Sequence, residues 1–398
     1  MNGVLDGVKV LDLSQFISGP WCGTLLSTQG AEVVKVEPPG MGEAMRIFTF
    51  FEKKMFPLFT HLNLNKKSIT LNLRVKEGQD IFKKLIKEFD VVIENFTPGI
   101  MEKKWNLDYK TILKPINPRL IYGKISGYGF TGLEEYCRKT AFDIVIQAAS
   151  GFMNALGLKE GPPRLPISDY SSGNIMAAGV SQALYYREKT GKGLFIDLSM
   201  LDLMYAMNIR AQVREYIPQA QDRDPVSQIL PTYNQYPTKD DKKIVIVTIT
   251  EKQFRRLMDV IGRPELKKDK RFKSAVKRMD HIDLLDEVII SWTTQKTRDE
   301  IVEILDEYRV PCSPVNTVDE IRNHPQLKAR NMYYEKFDFS KYELEKATVP
   351  GVILRFSEAP GTVRSKAPEL GEHNKEIYTD LLGYTDSKYK EMRKNGIV

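Results

Sequence analysis

Hydrophobic and polar positions follow two different periods in the first half of the chain. Val8–Leu13 (VKVLDL) and Glu32–Glu37 (EVVKVE) are short, largely apolar runs rich in β-branched residues, which predict buried strands. Between them, Gly19-Pro20 opens a run that closes at Gly30, the early-proline, late-glycine order of a helix. Ser68–Arg74 (SITLNLR) predicts a third strand. Lys76–Phe89 puts Ile81, Phe82, Leu85 and Ile86 on one face and lysines on the other, so it predicts an amphipathic helix. Asp90–Phe96 and Arg119–Ser126 predict two more strands. Strands that alternate with helices imply the α/β class, with a mainly parallel sheet covered on both faces.

The pattern breaks over Tyr216–Tyr236, where polar residues and three prolines interrupt it, and a domain boundary is expected there. Beyond it, Lys243–Thr250 predicts a strand, Glu251–Ile261 and His281–Trp292 helices, and Arg309–Thr317, with Pro311 and Pro314, an irregular strand and turn. This stretch suits a smaller second domain. From Arg330 onward, a strand is expected over Val349–Phe356 and a last helix over Asn374–Leu382. The expected division is 1–216, 217–329 and 330–398.

Composition narrows the function classes. The chain has 398 residues, 42% hydrophobic and 28% charged, enough for two domains with real cores. No apolar run approaches the roughly 20 residues of a membrane-spanning helix, and no secretory signal is visible at Met1–Val10, so a soluble cytoplasmic protein is expected. Cys22, Cys137 and Cys312 are too few and too scattered for a disulfide framework or a Cys-rich metal site. Four histidines (His61, His281, His324, His373) leave little material for a metal centre. The net charge of +7 admits a polyanionic partner: nucleic acid, an anionic membrane surface or a phosphorylated small molecule.

The dinucleotide motif is missing after the first strand, and the Walker and familiar hydrolase motifs are absent. The turn after the first strand reads Ser14-Gln15-Phe16-Ile17-Ser18-Gly19-Pro20, not G-x-G-x-x-G, and there is no Walker lysine, G-x-S-x-G or H-E-x-x-H. Chemistry must then rest on carboxylates, backbone amides and basic side chains. The strongest candidate is Asp169 in Arg164–Gly173 (RLPISDYSSG), just before an alanine-rich helical run. At the mouth of a helix the macrodipole favours an ionised carboxylate, which can attack an acyl group. The competing reading makes Asp169 a plain N-cap.

Several segments together resemble the class III CoA-transferases (CaiB/BaiF), the family of formyl-CoA, carnitine and bile-acid CoA-transferases and of α-methylacyl-CoA racemases. They are LDGVKVLDLSQFISGP, GAEVVKVEPPGMGEAMR, LNLNKKSITLNLRVKEG, VVIENFTPGIMEKKWNLDY, NPRLIYGKISGYGFTG, the Asp169 segment, EKTGKGLFIDLSMLD and APELGEHNKEIYTDLLGY, in order along most of the chain. The resemblance implies a Rossmann-like large domain completed by the returning tail, a smaller α+β domain, and a homodimer whose chains interlock. It implies an enzyme that moves CoA from an acyl-CoA donor to a carboxylic acid, through an aspartyl anhydride and an aspartyl-CoA thioester on Asp169. It assigns CoA contacts to Ile17, Ser18, Arg46, Asn72, Leu73, Arg74, Asn95, Phe96, Thr97, Lys103, Lys104 and Lys139. CoA and acyl-CoA enter as substrates, with no tightly bound cofactor, and neither nucleic acid nor membrane is an expected partner.

Departures from the family pattern bear on the reaction. The racemase branch uses a histidine in a G-H-D segment; here the matching residues are Ala141-Phe142-Asp143, so an α-proton base is missing. The formyl-CoA branch has a glutamine at the position of Ile17, an arginine at that of Pro38, and a glycine-rich loop, none of them present, which argues against strict formyl/oxalate specificity. His373 falls in a C-terminal motif that is mainly structural, and Cys22 and Cys312 read as core residues. Glu251–Asp280 holds 11 basic against 5 acidic residues without interleaved aromatics, a solvated face rather than a nucleic-acid patch. Racemase activity and a non-enzymatic nucleotide- or RNA-binding role remain the alternatives.

Overall fold

A computed structural model describes residues 3–47, 57–156, 163–209, 212, 230–334, 337–339 and 348–398. The chain divides into two compact units, Met1–Gln221 with Leu327–Val398, and Asp222–Gln326.

The first unit is built on a six-stranded, wholly parallel sheet. Its strands are β1 (Lys9–Asp12), β2 (Glu32–Glu37), β3 (Lys67–Thr70), β4 (Val91–Glu94), β5 (Ile121–Ser126) and β6 (Phe195–Ser199). Their order is β3-β2-β1-β4-β5-β6, the doubly wound order in which the winding reverses between β1 and β4. The main helices of this unit are α1 (Ser18–Thr28), α2 (Pro57–Leu62), α3 (Lys76–Leu85), α4 (Asp143–Ala149), α5 (Ile167–Thr190) and α6 (Met200–Met207).

Alternation along each strand feeds two separate cores. Val10, Val33, Val91 and Ile121 enter one cluster with Cys22, Leu26, Met176 and Val180 from α1 and α5. Their neighbours Leu11, Val34, Val92 and Tyr122 enter the other, with Ile81, Phe82 and Leu85 from α3. Strands with period 2 and helices on both faces give this result directly. The Glu32–Glu37 strand keeps its expected limits, whereas ends of the other strands retract by one to several residues, most in SITLNLR, where pairing stops at Thr70. The β6 strand and the helices α2, α4 and α6 were not anticipated.

The tail completes this unit. Asn65 accepts hydrogen bonds from the amides of Arg364 and Ser365, and Tyr378 donates to the Thr70 carbonyl at 2.6 Å. His373 Nδ1 accepts from the Ser68 amide at 3.2 Å and its own amide donates to the Ser68 carbonyl, so it staples tail to β3. The strand expected over Val349–Phe356 shrinks to Val349–Pro350, and the last helix expected is a π-helical turn, Glu376–Leu381, followed by a helix at Asp386–Lys394.

The second unit has an antiparallel sheet of β7 (Tyr233–Pro237), β8 (Lys243–Val247) and β9 (Cys312–Pro314), with helices α7 (Glu251–Val260), α8 (Ile282–Thr293) and α9 (Arg298–Glu307). Capping boxes at Thr250/Gln253 and Thr297/Glu300 start α7 and α9. Each acidic residue of Glu251–Asp280 pairs with a basic one of the same stretch, among them Glu251–Arg278 at 2.6 Å and Asp269–Arg271 at 2.6 Å. Most of the expected boundary at Tyr216–Tyr236 lies outside the described residues; its end, Tyr233–Tyr236, is part of β7.

Candidate functional site

The site forms where the sheet reverses. The loop after β1 and the end of β4 are tied by Asn95, whose Oδ1 accepts from the Gln15 amide (2.8 Å) and whose Nδ2 donates to the Gln15 carbonyl (2.7 Å). The same Nδ2 donates to Ser18 Oγ at 3.1 Å. Ser18 is the first residue of α1, and its hydroxyl hydrogen-bonds the Asp169 carboxylate. Asn95, Ser18 and Asp169 therefore form one chain of contacts from strand end to carboxylate.

Two glycines make that contact possible. A Cβ at Gly173 on α5 would stand 2.6 Å from the Ser18 carbonyl and 2.9 Å from Trp21, so only glycine lets α5 press against the start of α1. A Cβ at Gly23 would fall 2.9 Å from both Asp12 Oδ2 and Lys66 Nζ, which lie under α1.

Asp169 is not the N-cap of α5. That position is Pro166, which has no side-chain acceptor, and Asp169 sits in the first turn. The turn is served instead from α4: Asp143 Oδ1 accepts from the Asp169 amide at 3.1 Å and Asp143 also accepts from the Ser168 amide. Gln147 holds Asp143 Oδ2 at 2.6 Å and reaches the Leu165 carbonyl at 3.0 Å. Burial, with the Asp143 charge adding to it, pushes the Asp169 carboxyl up to about 7, against the Ser18 hydrogen bond that favours its ionised form. Asp169 thus titrates close to neutrality while staying ionised in a large fraction at physiological pH.

Beside it stands an aromatic group that sequence reasoning missed. Trp21 stacks on His61 (centroids 5.4 Å apart, 15° between planes) and meets Tyr170 edge-on at 5.3 Å. Trp21 Nε1 donates to Asn174 Oδ1 at 2.8 Å. Burial holds the His61 ring toward its neutral form and, with Asp169 nearby, raises the Tyr170 phenol.

Beneath α1 lies a second set of buried charges. Lys66 Nζ contacts Asp12 Oδ2 (2.7 Å), the Pro20 carbonyl (2.7 Å) and Asn63 Oδ1 (2.9 Å). Lys35 pairs with Glu43 at 3.3 Å and donates to the Ser14 carbonyl at 2.9 Å, while Glu43 accepts from the Phe16 amide at 3.0 Å. Burial opposes ionisation of Asp12, yet the Lys66 and Lys35 charges outweigh it and hold its carboxyl below the usual range. This network fixes the loop that delivers Ile17 and Ser18.

The other candidate CoA contacts fall into three groups. Asn95, Phe96 and Thr97 lead from the end of β4 into a π-helical turn, Ile100–Lys104, which leaves Lys103 and Lys104 exposed; Phe96 packs edge-on against Trp105 at 5.0 Å. Asn72, Leu73 and Arg74 follow β3: Asn72 bonds the Ile397 carbonyl through its amide, Leu73 is buried and Arg74 exposed. Lys139 lies exposed over the Tyr136 ring. Arg46 differs from all of these. Its guanidinium makes a two-point bond to Glu37 (2.6 and 2.8 Å), donates to the Pro368 carbonyl and lies 4.0 Å over the Phe59 ring, so its charge is already matched inside the protein.

A doubly wound sheet with a carboxylate and exposed basic side chains at its carboxyl edge is the arrangement in which α/β enzymes commonly bind a ligand at the switch point. The comparisons agree and go further. The profile of CoA-transferase family III matches residues 5–374, and the chain belongs to that family. It is 36% identical to the succinyl-CoA–D-citramalate CoA-transferase of Chloroflexus aurantiacus, across 99% of this chain and 98% of that protein. It is 32% identical to the succinyl-CoA–L-malate CoA-transferase beta subunit of the same organism, across 99% and 98%. Among solved structures, a CaiB/BaiF family protein from Brucella suis superposes with a TM-score of 0.80 at 32% identity, covering 96% of this chain and all of that one. The chain is accordingly an enzyme of the CoA-transferase class.

Proposed function

We propose that the protein transfers CoA from an acyl-CoA to a carboxylic acid by way of covalent intermediates on Asp169. A carboxylate oxygen of Asp169 attacks the thioester carbonyl carbon; the C–S bond breaks, and CoA leaves as a thiolate with an aspartyl anhydride in its place. The thiolate returns to the Asp169 carbonyl and releases the first acid, which leaves an aspartyl-CoA thioester. The acceptor carboxylate attacks that thioester, and collapse of the new anhydride by thiolate attack on the acceptor's carbonyl restores Asp169 and releases the new acyl-CoA. Every step exchanges an acyl group between carboxylate and thiolate, so no redox partner or metal is required.

The observation that carries this reading is the contact chain Asn95–Ser18–Asp169, which presents a partly buried carboxylate at the sheet's switch point. The Ser18 hydroxyl supports the negative charge of the carboxylate. Lys103, Lys104, Arg74 and Lys139 supply positive charge for the phosphates of CoA, with Ile17, Asn72, Leu73, Asn95, Phe96 and Thr97 as the apolar and backbone-bearing lining. Arg46, bound to Glu37, would act by shaping the β2 edge and not by offering a free charge. In this scheme residues 1–216 with 330–398 bind CoA, and 217–329 form the smaller domain.

Succinyl-CoA, the donor named in both Chloroflexus relatives, and a hydroxylated dicarboxylic acid are the substrates to try first. A homodimer is expected, with dimer mass in light scattering at micromolar protein and a monomer as the contrary result. The deciding assay incubates the protein with succinyl-CoA and a panel of carboxylic acids and looks for new acyl-CoA by chromatography. The proposal predicts exchange with at least one acid and none in Asp169→Ala; exchange that survives this substitution would refute it. Among the described residues no helix is long and apolar enough to cross a membrane.

A further inference from the structure

We infer that Asp143 is the positioning residue of this site: from a different element it caps the helix that carries Asp169, and it sets a like charge beside the nucleophile. The inference rests on the role proposed for Asp169 and adds a second residue to it.

The first turn of any helix has free amides, and the ordinary solution is a Ser, Thr, Asn or Asp side chain at the N-cap accepting from the second or third amide. In α5 the N-cap is Pro166, and the amides of Ser168 and Asp169 turn to Asp143 instead. Asp143 is the first residue of α4, and the segment before it is pressed onto the end of β5, since a Cβ at Gly127 would collide with Ala141. Gln147, one turn on, grips the second Asp143 oxygen and the Leu165 carbonyl, so both ends of the turn at 165–169 are held from α4. Moving Asp143 moves the Asp169 backbone.

A capping hydroxyl would satisfy the same amides, so the carboxylate has a further effect. A like charge disfavours ionisation of its neighbour and makes that neighbour a stronger base when ionised. Among the described residues, the surrounding elements do not neutralise it. The α1 helix brings no charged side chain toward Asp169, only the Ser18 hydroxyl. On β5, Lys124 is bound to Glu94 and Glu102, and on β6, Asp197 accepts from the Phe130 amide and the Thr131 hydroxyl. The α6 helix carries Asp202 in its first turn, and α2 carries His61, whose ring is held toward neutrality and contacts Tyr170. Of these groups, Asp143 and Tyr170 are the titratable ones coupled to Asp169.

The test separates charge from capping. Asp143→Asn keeps an oxygen acceptor for the amides and removes the charge; Asp143→Ala removes both. Asp169 ionisation is read without turnover, as the difference in unfolding stability between chains with Asp169 and with Asp169→Asn across pH 4–9, in the wild-type and the Asp143→Asn backgrounds. The midpoint is expected near 7 in the first and lower by roughly one pH unit in the second. With succinyl-CoA as probe, the acid limb of single-turnover labelling of the Asp169 peptide should move down by the same amount in Asp143→Asn. Asp143→Ala should lower the labelling rate at least tenfold, with the concentration dependence on succinyl-CoA changed less than twofold. An unmoved midpoint in Asp143→Asn, or an Asp143→Ala chain that labels at the wild-type rate, would overturn the inference. If the wild type takes up no label from any donor, the Asp169 reading fails, and the stability arm still decides whether Asp143 controls Asp169.

Discussion

On one side of α1 the buried charges are matched: Asp12 with Lys66, Lys35 with Glu43, Glu37 with Arg46. On the other side, across Ser18, Asp169 faces Asp143, a group of its own sign, with no cation against it among the described residues. Both regions lie at the carboxyl edge of the same sheet, and both touch the same loop and helix start. The first uses charge as structure, since each ion has a counter-ion and hydrogen bonds that offset its burial. The second leaves a carboxylate under-compensated, which lowers stability and raises reactivity, the usual signature of a site that performs chemistry. Substitutions should therefore have opposite consequences in the two places.

The largest difference is expected from Asp169→Ala, which removes the proposed nucleophile and should lower CoA exchange by at least ~10³-fold, an effect on the scale of other lost covalent nucleophiles, while leaving the cooperative unfolding transition intact. Its counterpart, Lys66→Met, strips Asp12 of its partner and should destabilise the fold by ~3–5 kcal/mol in urea unfolding at pH 7. If Lys66→Met unfolds like the wild type, the matched network is not structural, and the contrast collapses.

A subtler difference concerns pH. Asp169 has a folded-state value of about 7, raised above the 3.8 of an unperturbed aspartate, so the folded chain binds the extra proton between those limits. Stability is then lost as pH rises from about 4 to 7 and levels off above. Asp169→Asn should be more stable than the wild type at pH 8, by ~4 kcal/mol at most and less to the extent that water reaches the carboxylate, with the difference fading toward pH 4. A thermal melt series in which Asp169→Asn is less stable at pH 8 would show that the carboxylate is compensated after all.

The smallest expected effect comes from the hydroxyl between the two regions. Ser18→Ala removes one hydrogen bond to the ionised Asp169 and should cost about 1–2 kcal/mol of preference for that form, which moves the acid limb of exchange upward by roughly one pH unit. An unmoved limb would mean that Ser18 only packs.

How much of this was readable beforehand follows from the range of each interaction. VVI and EVVKVE announce buried strands because their signal is local, and Lys76–Phe89 announces its helix through its own periodicity. Asp169 stood out through its segment, but its partner did not: Asp143 is 26 residues away, and Ala141-Phe142-Asp143 drew notice for a missing histidine, not for the aspartate it contains. Trp21, His61 and Tyr170 come from three helices and converge only through the glycine-permitted crossing of α1 and α5. Arg46 shows the converse. The family resemblance gave it a CoA contact, yet its charge is matched by Glu37, and no local pattern tells a free arginine from a paired one.

The central claim is that Asp169 becomes covalently bonded to substrate. The direct measurement is the mass of the peptide containing Asp169 after brief incubation with succinyl-CoA and acid quench. The account predicts an added succinyl or CoA mass on that peptide, abolished in Asp169→Asn. An unmodified peptide under conditions where CoA exchange is proceeding would contradict it.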